Sequence, residues 1–435
     1  MAMPGRRFRP PALTLDWQGR WEAEPGAPTD LTCFSRSPAA ARTHRILDNR
    51  LLYSDNLGAM LALLGSHEGR IDLIYADPPF FTDRSYPVRV GAGEDSRHPD
   101  TWRTEHGFAD RWEGLPDYLS MLEPRLLAMY HLLAPTGTLY LHLDWHAAPY
   151  ARILLDQIFG REALLNEVIW AYHGPSPIRR AFNRKHDTIL VYAKTPHYYF
   201  DPDAVRVPYD PTTVRTFRSS PRAGFGKVPD LERGKVPEDW WYFPVVARLH
   251  HERTGYPTQK PEALLNRIVL ASCPPGGIVL DPFCGSGTAL AVASRSGRQA
   301  IGVDRSPLAF WTSYRRLLLL PEPPALSLWQ DRPLPQGPQP IARLGTSQEG
   351  THVDLLGLRG GGRHAFPDEV VLWEACWQST GCAAPTRIAH PRRWRSPDLP
   401  LQIASIPAGT QQVEVRIVTM RGEAGEAAAL TDVRG

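Results

Sequence analysis

The chain has 435 residues, of which 42% are hydrophobic and 22% charged, and its formal net charge is only +3. That length allows two to four modules at roughly 100–200 residues each, and that composition excludes wholesale disorder. No run approaches the roughly 18 apolar residues of a membrane span, and the N-terminal segment has basic residues but no apolar stretch of a secretory signal. Residues 1–44, rich in Pro, Gly and Arg, read as a loose arm docked in part by Trp17 and Trp21. The pattern then predicts a strand over 50–55, a helix over 56–64 and a buried strand over 71–76 that stops at Asp77-Pro78-Pro79-Phe80. Residues 81–112 read as a long polar loop, of the kind that usually carries function. A helix over 115–133, a strand over 137–144, a helix over 149–159 and strands over 167–172 and 188–192 follow.

Residues 197–255 lose this regularity and read as an insert. A helix over 261–272 begins with Pro261, where a missing N–H costs nothing. A strand over 277–281, a glycine turn, a helix over 288–296, a strand over 300–304 and a helix over 307–320 complete an alternating pattern. That alternation argues for a parallel α/β sheet. Residues 321–340, with seven prolines, read as a linker. Beyond them, 369–373, 401–405 and 413–418 suggest a small β-rich appendix.

Two motifs carry chemistry. In Asp281-Pro282-Phe283-Cys284-Gly285-Ser286-Gly287-Thr288 a strand runs into a tight turn and a helix. The two glycines permit close backbone approach, and the helix N-terminus favours an anionic group. Asp304 closes the next strand about twenty residues on, where dinucleotide folds place a ribose-binding acid. The dinucleotide fingerprint itself is absent, because its third glycine is here Leu290. The string suits a nucleoside whose other end is an amino acid: Asp281 would accept from the ammonium, and the helix N-terminus would take the carboxylate. A glycine turn used only for packing is the bland alternative.

In Asp77-Pro78-Pro79-Phe80 two prolines fix the backbone and remove two donors. What remains is acceptors, the Asp77 carboxylate and the Pro78 carbonyl, beside an aromatic face. That set suits methylation of an exocyclic base amine, whose lone pair is delocalised into the ring. Two acceptors gripping its hydrogens localise the lone pair, and the aromatic holds the base by stacking. A rigid turn is the alternative for this motif taken alone.

Together the motifs resemble those of amino-methyltransferases acting on DNA: a catalytic D/S-P-P-Y/F motif at Asp77–Phe80 and an S-adenosylmethionine motif at Asp281–Thr288. Catalytic first and cofactor second, with an insert between, is the order of the β group, a circular permutation of the usual methyltransferase sheet. Gly255-Tyr-Pro-Thr-Gln-Lys-Pro-Glu262 is similar to the T-Q-K-P segment before the cofactor strand. The resemblance covers roughly residues 45–320. It implies an α/β Rossmann-like methyltransferase sheet in permuted order, with an inserted target-recognition region and a small β-rich C-terminal appendix. The implied organisation is an N-terminal arm (1–44), a catalytic half (45–196), the target-recognition insert (197–255), a cofactor-binding half (256–320), a Pro-rich linker (321–340) and a C-terminal domain (341–435).

Carried over by position, Asp281, Phe283, Gly285, Gly287 and Thr288 would line the methionine end of S-adenosylmethionine, with Thr258 and Lys260 beside it. Asp304 would bind the ribose, and Asp55 would lie near the adenine unless it serves only as a strand end or helix cap. Asp77, Pro78, Pro79 and Phe80 would hold the target base. The Asp in the catalytic motif favours adenine N6 over cytosine N4, which the same carboxylate could also grip. A non-catalytic DNA-binding or assembly module and an RNA methylase are rival readings; the intact motifs count against the first, the insert and permuted order against the second.

Double-stranded DNA is the expected partner. Between residues 171 and 260 there are 15 Lys and Arg against 9 Asp and Glu. Arg179, Arg180, Arg184 and Lys185 would grip backbone. Arg215, Arg218, Arg222 and Lys227, with Arg206, Arg233 and Lys235 and interleaved aromatics, would form the recognition surface. A solvated surface loop is the alternative. Five cysteines without a C-x-x-C pair argue against a metal site and for a reducing cytoplasm, with the chain on the nucleoid when DNA is engaged. A cognate restriction endonuclease, a homodimer, or an orphan epigenetic role fit the same reading. His142, His146 and His186 read as structural, Cys284 is not a C5-type nucleophile, and the acidic residues around Pro229 lack nuclease spacing.

Overall fold

The computed structural model describes residues 15–18, 20, 26–36, 49–91, 102–176, 178–219, 229–247, 250–347, 350–359, 370–377, 386–392, 398–406, 410 and 412–431. In chain order they form β1 (Thr32–Arg36), β2 (Asn49–Tyr53), α1 (Asn56–His67), β3 (Ile71–Ala76), β4 (Arg84–Gly91), β5 (Trp102–Asp110), α2 (Leu115–Leu132), β6 (Leu133–Leu143), α3 (Ala148–Phe159), β7 (Leu164–Ala171) and β8 (His186–Ala193). The chain continues through α4 (Pro211–Ser219), β9 (Trp240–Tyr242), α5 (Glu262–Ser272), β10 (Ile278–Asp281), α6 (Thr288–Arg295), β11 (Gln299–Asp304), α7 (Pro307–Leu318) and β12 (Leu326–Gln330). Eight further strands follow: β13 (Gln339–Ser347), β14 (Gly350–Arg359), β15 (Val370–Trp377), β16 (Thr386–Pro391), β17 (Gln402–Ile406), β18 (Glu414–Thr419), β19 (Ala424–Ala428) and β20 (Leu430–Thr431).

The central sheet runs β1-β12-β2-β11-β10-β3-β6-β8-β7-β9. Its middle is parallel, as strands buried on both faces require. Alternate residues of β3 serve opposite layers. Leu73 and Tyr75 pack with Leu264, Ile268, Val292 and Phe310 of α5, α6 and α7. Ile74 and Ala76 pack with Met60, Leu119, Leu122 and Leu154 of α1, α2 and α3. From β3 the chain crosses to β6 on one side; from β10 it crosses to β11 on the other. The carboxyl ends of these two neighbours therefore flank a topological switch point, where open α/β sheets bind ligands. β10 follows β3 in sequence by the whole insert yet lies beside it, with Val279 and Leu280 opposite Leu73 and Ile74. That is the permuted arrangement.

Four stretches depart from the sequence reading. The loop expected over 81–112 contains the hairpin β4–β5, antiparallel from Arg84 opposite Asp110 to Gly91 opposite Trp102. Gly107 lets this pair close, since a Cβ there would lie 2.3 Å from the Tyr86 carbonyl. The arm supplies β1, which pairs with β12, and its Trp17 donates to Ser120 of α2 at 2.9 Å. The Pro-rich stretch read as a linker supplies β12 itself, parallel to β2, because Leu326 and Leu328 bury against the core between flanking prolines. The insert adds β9 to the sheet, parallel to β7.

The C-terminal strands form two four-stranded sheets, β17-β14-β13-β20 and β16-β15-β18-β19. They enclose a core of their own around Val353, Trp373, Ile403 and Ile417. Leu372 and Val418 extend instead into the core beside α7. No described helix is long and apolar enough to cross a membrane.

Candidate active site

The loops leaving β3, β10 and β11 meet in one cavity of about 750 Å³. Asp77, Pro78, Pro79 and Phe80 line it, as do Asp55, Thr258, Lys260, Asp281, Phe283, Gly285, Thr288 and Asp304. Every sequence-predicted catalytic and cofactor residue is brought together here except Gly287, which does not line the cavity. Gly287 instead caps α6 in a left-handed conformation, φ +71°, and a Cβ there would lie 2.7 Å from Ser313 Oγ.

Asp77 is held by one oxygen. Lys260 Nζ donates to its Oδ2 at 2.5 Å. Its Oδ1 is buried and has no hydrogen-bond partner among the described residues. A buried acceptor left open is costly and marks a place for a donor. Lys260 Nζ also lies 5.3 Å from the Phe80 ring centre. The backbone after the motif turns sharply, with Phe81 at φ 65° and Asp83 at φ 54°. Asp110 pins that turn: its carboxylate accepts from the backbone N–H of Phe80 (3.1 Å), Phe81 (3.0 Å) and Thr82 (2.8 Å). Trp112 Nε1 donates to it as well, at 2.7 Å. Tyr118 of α2 donates its hydroxyl to the Pro79 carbonyl at 2.9 Å.

Behind Phe80 stands His142, stacked at 5.8 Å between ring centres and 22° between planes. The imidazole is fully buried and bonds Tyr75 (2.8 Å) and Asp187 (3.2 Å). Burial alone would raise the Asp187 carboxyl; the His142 hydrogen bond and charge more than offset it and hold it below the ordinary range. The residue read as a structural histidine thus backs the aromatic of the Asp77–Phe80 motif.

Two strands along the sheet from β3, at the end of β11, Asp304 accepts from Gly285 N–H (2.9 Å) and Ser306 N–H (2.8 Å). Burial pushes its carboxyl up to about 6, less than it otherwise would because those N–H groups favour the charged form. Asp281 is raised well above the ordinary range, first by burial and then by Asp77 and Asp304, although it accepts from Phe283 N–H at 3.1 Å. Asp55 caps α1 by accepting from Leu57 N–H at 3.0 Å and also meets Arg125 at 3.3 Å. Thr288 Oγ1 donates to the Lys260 carbonyl (3.2 Å) and accepts from Arg316 (2.9 Å), joining the T-Q-K-P segment to α6.

Asp281, raised by burial and by its carboxylate neighbours Asp77 and Asp304, is eased by a cationic ligand, and the Asp77 oxygen wants a donor. A sulfonium nucleoside with an ammonium group supplies the first, and a cavity of this size is in the range for a cofactor. The residues therefore fit S-adenosylmethionine: Asp281, Phe283, Gly285 and Thr288 line the hollow together with Asp304 and Asp55, and Gly285 bonds Asp304 directly.

The expected DNA contacts sit apart. β7 runs parallel to β3, since both are antiparallel to or separated by one reversal from β8, so its carboxyl end shares the cavity edge. The connection from β7 to β8 carries Arg179, Arg180 and Arg184, all exposed, and half-buried Lys185. Arg184 lies over Trp145 at 4.1 Å, and Lys185 donates to the Pro175 carbonyl at 2.8 Å. At the same tip Phe182 is 98% exposed, an aromatic that no motif picks out. Arg215 and Arg218 are exposed on α4. Arg222 and Lys227 lie outside the described residues. Arg206 and Arg233 pair with Asp203 at 2.5 and 2.7 Å, and Lys235 pairs with Glu238, so these three charges are locally met rather than open.

The chain is similar to known proteins over this region. The family model described as DNA methylase, N6_N4_Mtase, matches residues 71–310. The type II methyltransferase M.HpaI of Haemophilus parainfluenzae is 32% identical over 259 residues, 59% of this chain and 70% of that protein. The DNA adenine methyltransferase YhdJ of Escherichia coli (strain K12) is 30% identical over 253 residues, 57% of this chain and 76% of that protein. Among solved structures, the cytosine-N4-specific PvuII DNA methyltransferase aligns over 64% of this chain and 90% of that one, with 17% identity and a TM-score of 0.41. The matched span holds both motifs and the switch point between them, and on that ground the chain belongs to the N6/N4 DNA methylase family, amino-methyltransferases of DNA that use S-adenosylmethionine.

Proposed function

We propose that the chain methylates adenine N6 in double-stranded DNA, on a base turned out of the helix into the cavity beside Phe80. The observation that carries the reading is the open Oδ1 of Asp77, buried in the same hollow that Gly285 and Asp304 line. Lys260 fixes the other oxygen, so Oδ1 is free to accept an N–H of the amine. The Pro78 carbonyl, beside it in the motif, takes the second N–H. Gripping both hydrogens localises the nitrogen lone pair. The cofactor, when bound, supplies an activated methyl group on sulfur. As the N–C bond forms, the S–C bond of the donor would break and leave its sulfur as a neutral thioether, and the amine proton would pass to Asp77 and then to water. Phe80, backed by His142, holds the ring by stacking, and alignment of nitrogen with the methyl carbon contributes of order several kcal/mol.

In this reading Asp281 takes the ammonium of the cofactor, Asp304 its ribose hydroxyls and Asp55 the adenine edge, with Thr258, Lys260, Phe283, Gly285 and Thr288 around the methionine. Arg179, Arg180, Arg184, Lys185, Arg215 and Arg218 would hold phosphates. Support for the last is the exposure of the five arginines and, for the first four residues, a place on the cavity edge of the sheet. Adenine is favoured over cytosine by the carboxylate in the motif. The test is methylation of a defined duplex followed by mass spectrometry of the nucleosides: N6-methyladenine is expected, and N4-methylcytosine in its place overturns the choice of base. A restriction–modification setting belongs to the same proposal, checked by whether modified DNA resists a nuclease of the same recognition sequence. Self-association is checked by sedimentation of the full chain.

A further inference from the structure

The family match stops at residue 310, but the cavity wall does not. Arg421, in the turn between β18 and β19, lines the same hollow as Asp304, Pro307 and Leu308. That turn is built. Thr419 Oγ1 accepts from Arg421 N–H and Glu423 N–H, each at 3.3 Å, and Gly422 donates to the Thr419 carbonyl at 3.0 Å. Gly422 adopts φ +78°, and a Cβ there would lie 3.1 Å from Leu308 N, so the turn rests on the first turn of α7. α7 begins directly after Asp304.

The hairpin β4–β5 borders the same rim. Tyr86 and residues 105–110 line the cavity. Val88 anchors the hairpin in a small cluster with Tyr256, Leu308 and Ala309, the same turn of α7 that Gly422 rests on. There Arg421 Nε meets Glu105 Oε1 at 3.4 Å. The domain that presents Arg421 is fixed to the catalytic domain through Glu374, which is fully buried between Arg387 (3.4 Å) and Arg416 (3.3 Å) and accepts from Tyr314 of α7.

We propose that the C-terminal β domain is a working part of the methyl-donor site: Arg421 straps the β4–β5 hairpin to the cavity rim through Glu105 and so slows release of the donor. Arg421 is a positioning residue. The inference rests on the reading that this cavity holds S-adenosylmethionine.

The test uses the full-length chain and S-adenosylmethionine itself, with affinity from calorimetry and release from stopped-flow. Arg421→Glu and Glu105→Arg each set like charges against one another. Each is expected to weaken binding about three- to tenfold through faster release, with the effect shrinking at high salt. Hydrogen exchange of the hairpin amides should rise in both. The combined exchange, Arg421→Glu with Glu105→Arg, should restore affinity to within about twofold and restore protection. Single variants that bind and exchange like the unmodified chain, or a double variant that is not rescued, overturn the strap. If the unmodified chain does not bind the donor, the reading of the cavity fails first.

Discussion

The floor of the cavity and its rim are made by different means. The floor is a row of strand ends: Asp77 after β3, Asp281 at the end of β10 and Asp304 at the end of β11, held in register by parallel pairing. Each residue there is placed within a few positions of its own strand. The rim is assembled from three distant segments, the β4–β5 hairpin, the first turn of α7 and the β18–β19 turn, joined by side chains such as Glu105 and Arg421. The difference teaches that the sheet specifies where chemistry happens, while appended structure governs how long a ligand stays.

Separating the two is a matter of damaging one alone. Glu374→Ala should have the largest effect on stability, because it leaves Arg387 and Arg416 buried without their carboxylate. A loss of about 3–5 kcal/mol is expected in chemical denaturation, with the floor untouched. A loss under 1 kcal/mol would show that the rim does not lean on this cluster. Asp304→Ala strikes the floor and should weaken S-adenosylmethionine binding about 10–100-fold by calorimetry, the range for losing one or two charge-assisted hydrogen bonds.

Acid should imitate that substitution. With its carboxyl at about 6 in the folded chain, Asp304 gains a proton as pH falls through that value, and donor affinity should fall with it. The sign for stability is opposite. A carboxyl raised on folding contributes stability below the ordinary carboxylate value of about 3.9, and that contribution is lost as pH rises through 6. The cofactor-free chain should therefore melt relatively later at the acidic end as far as this group is concerned, and the Asp304→Ala variant should lack that slope.

Gly287→Ala sharpens the comparison at the layer beneath the floor. A side chain in the left-handed conformation, pressed against Ser313, should cost about 1–3 kcal/mol in thermal unfolding. The smallest effect is expected outside both regions. Arg215→Glu with Arg218→Glu should weaken DNA binding and lower the salt slope by about two, leaving donor affinity unchanged. An unaltered slope would place the DNA elsewhere.

Legibility in the sequence followed the same divide. Asp77–Phe80 and Asp281–Thr288 could be found because fixed spacing within a strand, turn and helix is a local property. Their meeting follows from the switch point once the parallel order is recognised. β12 was hidden because Leu326–Gln330 is a short apolar run among prolines, and only its partner β2 makes it a strand. Asp110 was hidden for a related reason: its three backbone donors are nearly thirty residues away, and no motif surrounds it. His142 gave no sign of standing behind Phe80, since the two lie on different strands' ends. Arg421 is one arginine among many until a turn at the far end of the chain brings it to the cavity.

The most direct measurement is single-turnover methyl transfer from S-adenosylmethionine to duplex DNA by the Asp77→Ala variant, with donor binding measured on the same preparation. The account predicts that donor affinity stays within a few-fold while transfer falls by about 10³-fold or more, because the amine loses its acceptor. Transfer near the unmodified rate with the donor bound would contradict it.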